Sequence, residues 1–159
     1  MSSTSTPAAP AFTISALDHL VLYARDVDAS IAFYTRHLGM RHQAFTSPAT
    51  AAGADGGEVR HALLFGLQKI NLHAATSPYA PHASSPLPGT ADFCLLTETP
   101  IDRVAEALAA GGVQCVRFGG RGEELKKDEE GGDVVVQRTG ARGRLRSVYV
   151  RDPDGNLVE

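Results

Sequence analysis

The sequence contains no tryptophan, only two cysteines and no apolar run longer than a few residues. A transmembrane helix needs about 20 consecutive apolar residues, so no membrane-spanning segment is predicted. The first residues, MSSTSTPAAPAF, include neither the basic start nor the apolar stretch of a secretory signal. We therefore expect residues 1–13 to form a disordered arm and the protein to be cytoplasmic.

A strong charge of either sign is also missing, because 15 lysines and arginines accompany 18 acidic residues, for a formal net charge of −3. Arginines concentrate only between residues 138 and 151, where a solvated strand and loop is favoured over a phosphate-binding patch. No nucleic-acid partner is therefore expected. The sequence also lacks GxGxxG, Walker-type and GxSxG motifs, so nucleotide-binding and serine-hydrolase functions have no local support.

The two cysteines, Cys94 and Cys115, lie far apart in apolar, strand-like surroundings and form no CxxC pair. Buried free thiols in a reducing compartment are the favoured interpretation, and a disulfide is the alternative. Because no cluster of thiolates is present, a closed structural zinc site is not expected.

Residue periodicity predicts the same order of elements twice along the chain. The first helix starts after Asp26 and ends at Gly39, and the second starts at Thr99-Pro100 and ends at Gly111. A β-turn is predicted at 152–155. Strands are predicted at 14–23, 40–45, 60–65, 68–73, 92–97, 113–116, 147–150 and 156–159, with a possible further strand at 134–136.

This order predicts an α+β fold of paired βαβββ modules, one at 14–75 and one at 90–159. A proline-rich linker at 76–89 joins the modules, a loop occupies 47–57, and a charged insertion at 119–133 is expected to be exposed.

Four side chains hold matching places in the two modules. His19 and Asp92 lie in the opening strands, and His73 and Glu159 lie in the closing strands. Taken singly, His19 is more simply a hydrogen-bonded core histidine, and the other three are exposed strand ends or turn residues. If a pseudo-two-fold axis relates the modules, all four converge on one concave surface. Two imidazoles with carboxylates suit a divalent Fe, Mn, Co, Ni or Zn ion, and free coordination positions would polarise a substrate oxygen.

Four segments of the chain resemble the vicinal oxygen chelate superfamily, which includes glyoxalase I, extradiol dioxygenases, fosfomycin-resistance enzymes and bleomycin-binding proteins. They are LDHLVLYARDVDASIAFYTRHLGM, LLFGLQKINLHAA, LPGTADFCLLTETPIDRVAEALAAGGV and RTGARGRLRSVYVRDPDGNLVE. They are most similar to the glyoxalase domain-containing protein 5 group.

The resemblance implies a half-open barrel with a divalent metal on its inner face. The family's first-strand ligand falls on His19 and its last-strand ligand on Glu159, which would also be catalytic. The fifth-strand ligand, often histidine, falls on Asp92, and His73 is near a fourth-strand ligand position. Tyr149 matches a pocket-lining tyrosine that would contact substrate. Many members form dimers, so a homodimer is plausible.

Two functions follow from these expectations. The first is a divalent-metal-dependent enzyme that acts on a small oxygenated substrate as a glyoxalase-like lyase or isomerase, or as a dioxygenase. The second is a non-catalytic protein that sequesters a small molecule, as the bleomycin-resistance type does. Asp92 in place of histidine favours the second, as does Glu159, which we expect to fray as the last residue. A degenerate scaffold with a protein partner is a third, lesser alternative.

Overall fold

The computed structural model describes residues 12–46, 59–126 and 128–159, and within these ranges it contains two helices and nine strands. The helices are α1 (Val27–Leu38) and α2 (Ile101–Ala110). The strands are β1 (His19–Ala24), β2 (Arg41–Thr46), β3 (Val59–Phe65), β4 (Gln68–Ala74), β5 (Asp92–Phe93), β6 (Val136–Gly140), β7 (Gly143–Ser147), β8 (Val150–Arg151) and β9 (Leu157–Val158).

Two of the expected segments lie largely or wholly outside the described residues. Only Phe12 and Thr13 of the predicted arm are described, and both are exposed. The predicted loop at 47–57 is not among the described residues. Neither α1 nor α2 is long and apolar enough to cross a membrane, and the described residues contain no other helix.

Local capping signals set both ends of α1, as the sequence predicts. The Asp26 carboxylate accepts a hydrogen bond from the Ala29 backbone N–H at 2.9 Å. At the other end Gly39 takes the left-handed conformation, φ 67°, and its N–H bonds the Tyr34 carbonyl. The helix packs the fully buried Tyr34 against the first sheet.

The first sheet has the order β1-β4-β3-β2, with β1 parallel to β4 and the other pairs antiparallel. Its inner face buries Leu22, Leu63, Ile70 and Leu72 beneath α1. The prediction that the first strand begins at residue 14 is wrong, because β1 begins at His19. β4 pairs only with residues 19–24, and Ile14 before that pairing is 78% exposed.

The second half forms a three-stranded sheet, β5-β9-β8, and a separate hairpin, β6-β7. The predicted strand at 113–116 is wrong: Cys115 makes only an isolated bridge to Val150. The chain then turns into the charged insertion, where Phe118 bridges Glu124 and Asp133. The predicted strand at 92–97 shrinks to two residues, and the one at 147–150 is interrupted between Ser147 and Val150.

The turn at 152–155 lies between the two halves. Its predicted geometry is confirmed, since the Gly155 N–H donates to the Asp152 carbonyl at 3.0 Å. Asp152 is buried and accepts the Tyr34 hydroxyl of α1 at 2.9 Å. Burial, together with the charge and hydrogen bond of Asp152, raises the pKa of Tyr34, so Tyr34 remains a proton donor.

The helices and sheets of the described residues confirm the α+β class. None of the three sheets in the described ranges closes into a barrel.

Candidate functional site

Backbone pairing at the edge of the second sheet aligns three reactive side chains. The Glu159 N–H donates to the Phe93 carbonyl at 2.9 Å, and the Leu95 N–H donates to the Glu159 carbonyl at 2.8 Å. These bonds place Cys94 beside Glu159. On the other side the β8–β9 register, Val150 opposite Val158, places Tyr149 opposite Glu159. Alternate strand residues share a face, so the side chains of Cys94, Glu159 and Tyr149 lie on the face opposite the core residues Val150 and Val158, where Tyr149 is nevertheless buried.

The β6-β7 hairpin adds two further groups to this row. The Ser147 hydroxyl, at the end of β7, donates a short hydrogen bond to one carboxylate oxygen of Glu159. Arg138 on β6 donates from Nε to the Tyr149 hydroxyl at 3.2 Å, and its guanidinium lies 4.8 Å from the centre of the Phe118 ring. The cluster therefore joins a carboxylate, a thiol, two hydroxyls and a guanidinium.

The electrostatics of the cluster keep its donors protonated. Cys94 is a free thiol and is exposed, contrary to the expectation of a buried one. The partial desolvation of its sulfur, followed by the charge and hydrogen bond of Glu159, raises the pKa of the thiol. Burial also raises the pKa of Tyr149; Glu159 adds to this increase and Arg138 opposes it. The Glu159 carboxylate thus accepts the Ser147 hydroxyl and lies beside the Tyr149 hydroxyl and the Cys94 thiol, both of which are protonated at neutral pH.

Two adjacent cavities meet at Glu159. One, of about 300 Å³, lies between β7 and the segment from Cys94 to Ile101 and has Arg144 and Arg146 in its wall. The other, of about 360 Å³, lies against α2 and is mostly apolar. A larger cavity of about 480 Å³ lies elsewhere, between α1 and the start of the insertion, and contains none of the cluster residues.

Polar side chains beside a cavity are typical of a small-molecule site. Comparison with known proteins identifies the family of the chain. Residues 16–159 match the model of the Glyoxalase/Bleomycin resistance protein/Dioxygenase superfamily. The chain belongs to this superfamily. The resemblance of the sequence to the vicinal oxygen chelate group is therefore confirmed at the level of the superfamily.

Relatives and solved structures agree with this assignment. The chain is 40% identical over 146 residues to the virulence protein STM3117 of Salmonella typhimurium, across 92% of this chain and 83% of the relative. The crystal structure of that protein superposes with a TM-score of 0.71 at 39% identity, over 92% and 95% of the two chains.

The chain is also 40% identical over 147 residues to the glyoxalase domain-containing protein RDO1 of Mycosarcoma maydis, across 92% of this chain and 68% of the relative. A lactoylglutathione lyase from Agrobacterium tumefaciens, 23% identical with a TM-score of 0.56 over 91% of each chain, shares the fold.

The two histidines expected to bind the superfamily's metal lie in the neighbouring strands β1 and β4, but near opposite ends of these strands. His19 opens β1 opposite Lys69, and its Nδ1 is 2.6 Å from the Asp18 carboxylate. The hydrogen bond to His19 lowers the pKa of Asp18. His73 lies opposite Tyr23, four positions further along both strands, so the two histidines are separated by about 13 Å at 3.3 Å per residue. The His73 ring packs edge-on against Tyr23 and Tyr79.

Asp92 and Glu159 belong to neighbouring strand segments but are not directly opposite each other. Asp92 is exposed and pairs with Leu157, two positions before Glu159. The residue directly beside Glu159 is Cys94, which was not among the predicted site residues. The expectation that Glu159 frays is wrong, because both its N–H and its C=O are hydrogen-bonded to the β5 segment.

The residues of one chain do not fit the expected divalent-metal site. In the described part of the chain, no three His, Cys, Asp or Glu side chains lie close enough together to hold a metal ion. The group around Glu159 contains a thiol and hydroxyls and no imidazole. His19, His73, Asp92 and Glu159 are thus not assembled within a single copy.

Sequence reasoning did not find Cys94, Ser147 or Arg138. The alternation of the strand puts the side chains of Asp92 and Cys94 on the same face. Only the pairing of β5 with β9 shows that Cys94, and not Asp92, is the residue beside Glu159. Ser147 was expected within a continuous strand, and Arg138 was considered only as part of an arginine-rich surface. The signal that identifies all three is the pairing of distant strands.

Proposed function

We propose that the chain is an enzyme that binds a small oxygenated substrate against Glu159 and removes a proton from the carbon next to a carbonyl group, as glyoxalase-like lyases and isomerases do. The single observation that supports this proposal is the Glu159 carboxylate, which borders two cavities and is surrounded by protonated donors. The RTGA and RDPDGNLVE segments further favour kinship with the glyoxalase domain-containing protein 5 group.

In this proposal Glu159 acts as the general base. A carboxylate has about four acceptor positions, and the Ser147 hydroxyl donates to one of them. Acceptor positions therefore remain for a substrate proton, and the Ser147 hydrogen bond fixes the orientation of the carboxylate. Tyr149 is the substrate-binding residue. Its protonated hydroxyl, held by Arg138, stabilises the oxyanion that develops as the proton leaves.

In this proposal, a divalent metal of the superfamily (Fe, Mn, Co, Ni or Zn) would be bound only if a second copy of the chain supplied one of its ligands. His19 lies on the outer face of the first sheet with 42% of its side chain exposed, and the Glu159 face is also open. A homodimer that brings His19 of one copy to Glu159 of the other would supply the missing imidazole, within a half-open barrel that spans the two chains. Elemental analysis and light scattering of wild-type, His19→Ala and Glu159→Gln proteins test this part separately.

Solvent deuterium exchange tests the proton-transfer step. The protein is incubated in D₂O with hydroxyacetone, pyruvate or the hemithioacetal of methylglyoxal and glutathione, either with EDTA or with each of the five metals. ¹H NMR then follows the loss of the C–H signal next to the carbonyl. We expect enzyme-dependent exchange that Glu159→Gln slows by about 10²-fold or more.

The matched control is Glu106→Gln, which removes an exposed carboxylate of α2 whose ion-pair partner among the described residues is Arg103. This variant should exchange at the wild-type rate. Equal rates in the Glu159→Gln and wild-type proteins, or no exchange above background with any compound and metal, would contradict the proposal.

A non-catalytic sequestering protein is the second candidate. It is favoured by the mostly apolar lining of the neighbouring 360 Å³ cavity and by the lack, among the described residues, of three His, Cys, Asp or Glu side chains close enough to hold a metal ion. Such a protein would be stabilised against heat by a bound small molecule that it recovers unchanged, and Glu159→Gln would alter neither the yield nor the identity of that molecule.

A further inference from the structure

Two links join β7 to the rest of the second module beside the 300 Å³ cavity. In one, Ser147 is hydrogen-bonded to Glu159. In the other, the Arg146 guanidinium forms two hydrogen bonds of 2.8 Å with the two oxygens of Asp102, at the start of α2. The cavity wall also includes Thr97, Leu96 and Ile101. A cavity at the lower end of the usual ligand-pocket range suits a small molecule.

Of the two arginines in this wall, only one is available to a ligand. The Arg146 charge is balanced by Asp102, whose pKa is lowered by that hydrogen-bonded pair. Arg144 is two residues earlier on β7 and therefore on the same face of the strand as Arg146. It is exposed, lines the cavity and contacts no acidic group among residues 12–46, 59–126 and 128–159.

Arg144 and Glu159 are separate parts of the wall of the 300 Å³ cavity. Arg144 is three residues from Ser147, about 10 Å along β7 at 3.3 Å per residue, and the two side chains leave the strand on opposite faces. The cavity therefore has a guanidinium and the Glu159 carboxylate at different places in its wall. A neutral ligand would leave the guanidinium unused, and a ligand with its anion beside Glu159 would be repelled.

We propose that Arg144 binds the anionic end of the substrate, which is a small carboxylate whose opposite end reaches Glu159. The planar guanidinium fork matches a carboxylate with two parallel N–H···O bonds, and it matches a phosphonate in a similar way. This inference rests on the proposed function only for the reaction at Glu159, where the other end of the substrate would lose its proton. The binding of the anion itself requires no turnover.

A ¹⁹F NMR titration of the full chain tests the proposal with three probes of one size: 4-fluorobenzoate, 4-fluorobenzamide and 4-fluorophenylphosphonate. We expect the benzoate to bind about tenfold or more tightly than the uncharged amide, because a hydrogen bond to a charged group is lost in the amide. Arg144→Gln should weaken benzoate binding by about the same factor and leave amide binding unchanged.

The matched control is Arg142→Gln, which removes an arginine from the turn of the same hairpin that does not line the cavity. It should bind the benzoate as the wild type does. Equal affinity for benzoate and amide, an equal effect of the two arginine substitutions, or no binding of any probe would overturn the proposal. Tighter Arg144-dependent binding of the phosphonate would support the site and assign phosphonates as its ligands.

The two proposals fail separately. Glu159→Gln should retain Arg144-dependent benzoate binding, since it leaves the guanidinium in place. If wild-type protein binds benzoate through Arg144 but exchanges no proton with any compound, the anion site stands and the enzymatic function fails. Loss of benzoate binding in Arg144→Gln without a change in circular dichroism excludes unfolding as its cause.

Discussion

Replacing Tyr34 by phenylalanine removes one oxygen from the interior and almost nothing else. The Tyr34 side chain is fully buried, and its hydroxyl donates to a carboxylate oxygen of Asp152 at 2.9 Å. Asp152 keeps its remaining donors, the backbone N–H groups of Asp154 and Asn156 and the Asn156 side-chain amide, at 2.8 to 2.9 Å. A buried hydrogen bond to a charged group contributes about 1.5–3 kcal/mol, so we expect a loss of about 2 kcal/mol.

Urea denaturation and thermal unfolding both measure this loss. For a chain of this size about 2 kcal/mol corresponds to a decrease in Tm of about 4–8 °C. The matched control is Tyr79→Phe, because the Tyr79 hydroxyl makes a weaker, exposed bond of 3.3 Å to the Val59 carbonyl. The reasoning is refuted if the two substitutions lower the free energy of unfolding equally, since burial and charge would then make no difference.

Two further substitutions test other close contacts. Gly89→Ala should cost about 2 kcal/mol or more in unfolding free energy, because φ is 75° there and a Cβ would lie 2.6 Å from the Asp154 carbonyl oxygen; a Tm equal to that of the wild type would contradict it. Because the pKa of Cys94 is raised, its thiolate fraction near pH 8 is small, and iodoacetamide should alkylate it more slowly than a free thiol. Removing the charge in Glu159→Gln should speed that alkylation in a Cys115→Ser background, and mass spectrometry over pH 7–10 would show an unchanged profile if Glu159 has no influence.

The helices were predictable from sequence because their ends are fixed by nearby residues. Asp26, Gly39 and Pro100 act within one turn of the helix that each delimits. The strands of the second module were predicted less well. Whether residues 113–116 pair depends on Val150, more than thirty residues later, and the intervening insertion diverts Phe118 to partners of its own.

Some residues of the candidate site could be predicted from the sequence, but which side chains lie together in it could not. Glu159 and Tyr149 were named from the family's ending, and the structure places them as cross-strand neighbours. The convergence of His19 with Glu159 required a pseudo-two-fold arrangement that brings the two halves' strands together at one site, and no three His, Cys, Asp or Glu side chains of the described residues come together in that way. No periodicity in a sequence reveals which faces of two sheets meet, because packing between modules decides it.

The turn at Asp152–Asn156 has a consequence for how the molecule acquires its structure. Arg25, Ser30 and Tyr34 all form hydrogen bonds to this turn, at sequence separations of 118 to 129 residues. Closing so long a loop is entropically costly and slow, so the first helix reaches its final packing only after residues 152–156 have been synthesised. The same turn leads directly into β9, which carries Glu159 into place. The Glu159 carboxylate is therefore expected to reach its position beside Ser147 late in folding, once the contacts of this turn with the first helix have formed.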